Sequence, residues 1–220
     1  MTTLRWLAVD GALGAFSAAV LAPSGETAAG TAGNDALERG IAMVDGVLAR
    51  AGLRLEEIDA LATGTGPGSF TGVRIAVSYA KGLALALGRP LAGVSSYEVL
   101  DDGSTPPPVL AVVPGRSGIA CARLRTEGGL YVRCGGYDDV VELVAGLVAP
   151  SVIACYGGVE GVVTRLGERG FTVRASPLPE FPALTIARLA AGRPASAAPA
   201  HGVQPDYGEL PAATVRLRIP

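Results

Sequence analysis

Lysine and histidine are nearly missing from this chain. Among 220 residues there is one lysine, Lys81, and one histidine, His201. The formal net charge is −2 and the arginines are scattered, so no basic stripe marks a surface for phosphates. Any part in nucleic-acid chemistry would need a partner to supply those contacts. A metal site built on two histidines is excluded by count. Cys121, Cys134 and Cys155 are odd in number and form no CxxC pair or Cys/His cluster. Reduced, buried thiols are the expected state, with a disulfide or metal site as the lesser alternative. Long apolar runs are also missing: although 49% of residues are hydrophobic, Asp, Arg, Gly or Pro interrupts each run well before the ~18 residues of a membrane span. The first nine residues lack the long apolar region and small-residue cleavage site of a secretory signal. A compact, cytoplasmic α/β protein away from membranes is expected.

What is present is ordered along the chain. Leu4 to Val9 suits a buried strand, Ala15 to Leu21 its hairpin partner, and Glu26 to Ala32 a weaker third strand. From Asp35 the period changes: Ile41, Val44 and Leu48 give a helix with one apolar face, ending near Gly52. Ile58 to Thr63 and Leu91 to Val94 read as strands on either side of a long helix, and Ser95 with Glu98 has the form of a capping box. The segment Asp101 to Pro108, with three consecutive prolines, is the best domain boundary. After it the pattern restarts, with strands at Val109 to Val113, Ile119 to Arg125 and Leu130 to Cys134, turning at Glu127-Gly128-Gly129. Helices at Asp139 to Val148 and Val159 to Arg169 then alternate with strands at Val152 to Cys155 and Thr172 to Ala175. A last helix is expected at Ala183 to Ala191, and the Pro/Ala-rich tail from Gly192 is only marginally ordered by composition. The repeated order implies two α/β lobes with mixed sheets, residues 1–103 and 104–220, with the terminal helix able to pack back on the first. It matches the actin/hexokinase topology (an actin-like, ASKHA or ribonuclease H-like fold), which alone says little about function.

The most informative stretch is Thr63 to Leu87, TGTGPGSFTGVRIAVSYAKGLALAL. Gly64, Gly66 and Gly68 bracket Pro67 in a tight turn after a strand, and Ser69 or Thr71 can cap the helix that follows. An anion could sit at that helix start, with Arg74 one turn further in, or the turn is only a turn. No Gly-Lys-Ser/Thr follows, so it is not a P-loop, and the third glycine of GxGxxG is missing. Behind the turn, Gly72, Ala76, Ala80 and Ala84 form a stripe of minimal side chains flanked by Val73 and Val77. Such a stripe allows close approach of another element, either the lobe's own sheet or a helix of another subunit.

Gly64 to Leu100, GTGPGSFTGVRIAVSYAKGLALALGRPLAGVSSYEVL, resembles the GPGSFTGLR–AKGLA–PL.GVSS signature of the bacterial TsaB family, also called YeaZ. The resemblance extends in layout over Leu4 to Leu21 and Asp35 to Asp59, and thins out in the second half. It implies a non-catalytic subunit of the machinery that makes threonylcarbamoyladenosine at position 37 of tRNA. The implied partners are a TsaD protein and a TsaE-like ATPase, with tRNA met only through the complex and a homodimer in the partner's absence. The implied contacts are Phe70, Val73, Arg74, Val77 and Lys81 beside the Gly72/Ala76/Ala80/Ala84 stripe. The related TsaD proteins carry a similar turn and helix, then a segment with two metal-binding histidines. Here that segment is Gly93 to Glu98, without histidine. The resemblance therefore implies no cofactor on this chain, with ATP and a divalent metal expected in TsaD.

Three positions depart from the family pattern. The first strand ends Asp10-Gly11-Ala12 where Asp-Thr-Ser or Asp-Thr-Ala is usual; the first helix opens Ala36-Leu37-Glu38 where His-Ser/Ala-Glu is frequent. Pro114 stands where a second-lobe acidic residue is expected. Asp10 is expected to cap its own turn rather than to catalyse. A peptidase using Ser69, Ser95 or Ser96 lacks a nearby base, since His201 is the only histidine. An actin-fold sugar or acetate kinase would need acidic residues at both strand turns.

Overall fold

The computed structural model describes residues 4–23, 27–31, 36–115, 118–193 and 202–208. The first half forms β1 (Trp6–Asp10), β2 (Ser17–Leu21), β3 (Thr27–Thr31), α1 (Ala36–Ala51), β4 (Ala60–Gly66), α2 (Phe70–Leu87), β5 (Leu91–Ser95) and α3 (Ser96–Leu100). The second forms β6 (Val109–Pro114), β7 (Ile119–Thr126), β8 (Gly129–Gly136), α4 (Tyr137–Leu147), β9 (Val152–Tyr156), α5 (Glu160–Glu168), β10 (Thr172–Ser176) and α6 (Pro182–Ala191). One sheet runs β3-β2-β1-β4-β5 and the other β10-β9-β6-β7-β8. In each, three antiparallel strands continue into two parallel ones, so the second sheet repeats the first.

Period-two alternation sorts the strand residues into layers. Leu7, Val9, Val20 and Leu61 face Val44, Val47 and Leu48 of α1 together with Ala76, Ala80 and Ala84 of α2. Trp6, Ala8, Ala60 and Ala62 face the other way, onto Ala183, Ile186, Ala187 and Ala190 of α6. That second layer also takes in Ala111 and Val113 of β6, so one core joins both sheets. Leu110, Val112 and Leu124 pack against α4 and α5 on the far side. The terminal helix thus returns to the first sheet, where Ser17 Oγ accepts from the Ala183 amide at 3.1 Å. Of the apolar helix face read from Ile41, Val44 and Leu48, the latter two are buried, and the Ile41 side chain lies outside the described residues.

A charged clamp joins the halves. Arg125 on β7 donates to both carboxylate oxygens of Asp101, at 2.7 and 2.8 Å. Arg123 lies 3.6 Å from the same carboxylate and donates to the Tyr97 and Asp101 carbonyls, where α3 runs out of its own donors. The Pro-rich segment from Asp101 to Pro108 leads from α3 into β6, and its Thr105 carbonyl accepts from Arg125.

Two expectations are corrected. Cys121 and Cys134 are joined in a disulfide rather than held as separate thiols. They stand opposite each other across the β7–β8 hairpin, which turns at Glu127 and Gly128. Cys155 is a buried free thiol, and burial pushes it up to about 11. Against the marginal order expected of the tail from its composition, residues 202–208 dock on the first sheet, with Val203 in the α1/α2 core layer. His201 lies outside the described residues.

Candidate functional site

The glycine turn is packed with backbone. After β4 the chain passes through a cis Gly66–Pro67 bond into α2. Gly66 has φ +97°, and a Cβ there would overlap the Asp206 carbonyl of the docked tail. Gly68 lies against the Ala12 carbonyl, and the Ser69 amide donates to that carbonyl at 3.0 Å. Gly11 and Gly72 approach so closely that a Cβ on either would overlap the other's carbonyl oxygen. The β1–β2 loop thus lies on the first turn of α2, with no room for a Cβ at either position. Ser69 caps the helix, its Oγ accepting from the Gly72 amide at 3.2 Å. The space that an anion would enter is thus partly taken by protein.

Asp10 sits below the turn and is 1% exposed. Its Oδ2 accepts from the Leu13 amide at 3.0 Å, the turn-capping role expected of it. Its Oδ1 has no hydrogen-bond partner among the described residues and fills the space that Gly64 leaves. Burial raises the carboxyl above the ordinary aspartate range, against the lowering effect of the Leu13, Ala12 and Gly11 amides. At the matching end of β6, Pro114 pairs with Ala120 and offers no carboxylate. Arg116 and Ser117 beyond it lie outside the described residues, as do the side chains of Ala36, Leu37 and Glu38.

The helix divides the residues expected at an interface into two groups. Val73, Ala76, Val77, Ala80 and Ala84, expected as partner contacts or as packing on the chain's own sheet, are buried in the chain's own core. The small-residue stripe lets α2 lie close on its own sheet. A buried residue cannot meet a partner without opening that core. Phe70 is 51% exposed, Arg74 is exposed, and Gly72 and Lys81 are half-buried. Ser78, Gly82 and Leu85 complete the outer face, with Leu85 74% exposed. Periodicity does not mark these three, because they lie off the apolar stripe. By length and composition α2 could cross a membrane, but its apolar stripe is the one packed on the sheet.

At the head of this face three side chains form a cluster. The Arg74 guanidinium lies 3.9 Å from the Phe70 ring centre, and its Nε donates to the Tyr207 hydroxyl at 3.0 Å. The Phe70 and Tyr207 rings are 4.8 Å apart. Among the described residues no carboxylate pairs with Arg74 or Lys81. Of the other two serines weighed as nucleophiles, Ser95 caps α3 in the expected box with Glu98, and Ser96 is buried with no partner among the described residues. No group of three or more His, Cys, Asp or Glu residues is arranged to hold a metal among the described residues. Two surface depressions, about 420 and 370 Å³, lie away from the turn, one at Pro107, Pro108 and Tyr131 and one at Glu98, Asp102 and Arg188.

A repeated five-stranded sheet, with a terminal helix returned to the first copy, defines a two-lobed α/β protein of the actin-like, ribonuclease H-like class. Residues 31–143 match the sequence model of the family described as TsaD, tRNA N6-adenosine threonylcarbamoyltransferase. The chain belongs to this family, in its TsaB (YeaZ) group. It is 46% identical over 67 residues to the tRNA threonylcarbamoyladenosine biosynthesis protein TsaB of Escherichia coli, an alignment covering 30% of this chain and 29% of that protein. It is 42% identical over 104 residues to a tRNA N6-adenosine threonylcarbamoyltransferase of Jannaschia, covering 44% of this chain and 28% of that one. Both alignments thus span less than a third of the relatives' own length. The solved YeaZ from Pseudomonas aeruginosa superposes with a TM-score of 0.71 at 29% identity, covering 93% of this chain and 99% of that one.

Proposed function

We propose that this chain is a non-catalytic subunit of the apparatus that makes threonylcarbamoyladenosine in tRNA, and that it docks a TsaD-type partner on the outer face of α2. The observation that carries the reading is that face itself. Phe70, Arg74, Ser78, Lys81 or Gly82, and Leu85 follow helical spacing along one side, leaving apolar side chains in water at both ends. Ser78 and Gly82 between them leave room for another helix to come close. The inner face is fixed to the sheet, and the glycine turn is fixed by backbone packing, so the outer face is presented rigidly. Asp10, the buried carboxylate at the turn, is occupied in capping the Leu13 amide.

In this reading residues 1–103 act as the docking lobe and 104–220 as its support. ATP and a divalent metal belong to the TsaD-type partner, with a TsaE-like ATPase completing the assembly. The tRNA is reached only through that complex, which works in the cytoplasm, and without its partner the chain pairs with itself through the same face. The test is co-purification with the TsaD-type protein of the same cell. Wild type should be retained, while Leu85→Asp, at a site already in water, should melt like wild type and be lost from the complex. Equal retention of Leu85→Asp, or no retention of wild type, overturns the proposal.

A further inference from the structure

Residues 202–208 come from the far end of the chain and lie across the carboxyl ends of β4 and β5. The seat is shaped for them. Val203 is 6% exposed and fits against Gly93, where a Cβ would crowd it. The Asp206 amide donates to the Thr65 carbonyl at 2.7 Å, and its own carbonyl occupies the space over Gly66. Gly208 rests on Pro67 and on the Cys121–Cys134 disulfide, so the segment touches both sheets. Between these anchors Tyr207 reaches the head of α2.

We infer that this strap is a working part of the docking face, and that Tyr207 is a positioning residue that braces Phe70 and Arg74 for an acidic partner surface. The inference rests on the docking role proposed for α2. Three observations carry it. First, the strap leaves the face open: Phe70 stays half exposed and Arg74 exposed with the tyrosine in place. Second, Tyr207 restrains both residues at once, through ring contact with Phe70 and the hydroxyl bond to Arg74 Nε. Long side chains lose rotamer freedom when a partner binds, and restraint in the free protein removes part of that cost. Arginine and aromatic side chains held this way are the kind that dominate binding. Third, α2 itself is one-signed, and the one carboxylate the strap brings beside it, the exposed Asp206, accepts from the Gly208 amide. α2 carries Arg74 and Lys81 and no acidic residue, and neither cation has a carboxylate partner among the described residues. The complementary surface places a carboxylate opposite Arg74 and an apolar side chain on Phe70.

The experiment is titration calorimetry of the full chain against the TsaD-type partner at low and high salt. Tyr207→Phe, which keeps the ring and loses the hydroxyl, should weaken binding about fivefold, the worth of one net hydrogen bond. Tyr207→Ala should weaken it more, and Arg74→Ala should then cost less in the Tyr207→Ala background than in wild type, because both remove one braced unit. Binding should weaken with salt in wild type and less so in Arg74→Ala. If the Tyr207 variants bind within twofold of wild type, or Tyr207→Ala binds tighter, the strap is no brace and the inference fails while the docking proposal stands. If wild type does not bind, both fall.

Discussion

β1 and β6 open the two sheets in corresponding places and end differently. β1 ends on Asp10, buried with one carboxylate oxygen unpaired, under a turn that leads to an 18-residue helix. β6 ends on the exposed Pro114, and the turn after its parallel neighbour β9 leads to the nine-residue α5. The repeat did not extend to chemistry. The second sheet spends its charged residues on a different task, since Arg123 and Arg125 reach out of β7 to hold Asp101 at the seam. The described residues thus include two buried aspartates of opposite character, one isolated in the first lobe and one clamped by the second. One lobe presents a helix and the other fastens it.

The clamp gives the largest expected effect. Asp101→Asn would leave Arg123 and Arg125 without their counter-charge at a mostly buried seam, and should lower the unfolding free energy by about 3 kcal/mol in urea titration. Burial raises the Asp101 carboxyl, but its Arg125 hydrogen bonds and the nearby arginines outweigh this, and the net shift is downward. A lowered folded-state value means that the contribution is complete above the ordinary aspartate range and is lost as pH falls through the lowered value. The gap between wild type and Asp101→Asn should therefore be widest near neutrality and close toward strong acid. A constant gap from pH 7 to pH 2 would show that the ion pair is not its source.

Next comes the backbone packing at the turn. Gly72→Ala would drive a Cβ into the Gly11 carbonyl, and backbone at both sites leaves little to give way. About 2 kcal/mol of stability should be lost in the same titration. An unchanged midpoint would mean that the β1–β2 loop does not lie on α2.

Asp10 supplies the counterpart to Asp101, with the sign reversed. Its folded-state value is raised, so its contribution is present below the ordinary aspartate range and is lost as pH rises through the raised value. Asp10→Asn keeps an acceptor for the Leu13 amide and removes the buried charge. Its stability relative to wild type should improve from pH 4 to pH 8, by about 1 kcal/mol at the upper end. Should the difference run the other way, Asp10 is charged and held by a partner, and the contrast between the two aspartates is lost.

These contrasts differ in how far they could be read beforehand. The order of elements was legible because it rests on local signals: alternation in the strands, Val44 and Leu48 in α1, the Ser95–Glu98 box, and the prolines before β6. The disulfide was available in principle. Counting back equally from the Glu127–Gly128 turn brings Cys121 and Cys134 opposite each other, but an odd number of cysteines favoured free thiols. The face of α2 was not legible, since the same stripe serves a sheet or a second subunit equally well. Nor was the strap, because Val203 and Tyr207 find their seats some 110 to 140 positions away by tertiary contact, in a tail whose composition gives no period. The rigidity of the turn is legible from Gly66-Pro67-Gly68, but what lies against each glycine is a non-local fact.

The smallest effect concerns the outer face of α2, and it separates folding from docking. Gly82 stands in mid-helix, exposed, with nothing within 4 Å of where a Cβ would lie. Folding gains nothing from this glycine, and alanine should raise the unfolding free energy by roughly 0.5–1 kcal/mol through helix propensity and reduced freedom of the unfolded chain. Gly72, on the inner face ten residues earlier, should respond with the opposite sign to the same substitution. If Gly82 is kept for close approach by a partner helix, Gly82→Ala should also weaken the complex with the TsaD-type protein, making the isolated chain more stable and the assembly less so. A variant that gains stability and binds as wild type would place the helix contact elsewhere on the face, nearer Phe70 and Arg74.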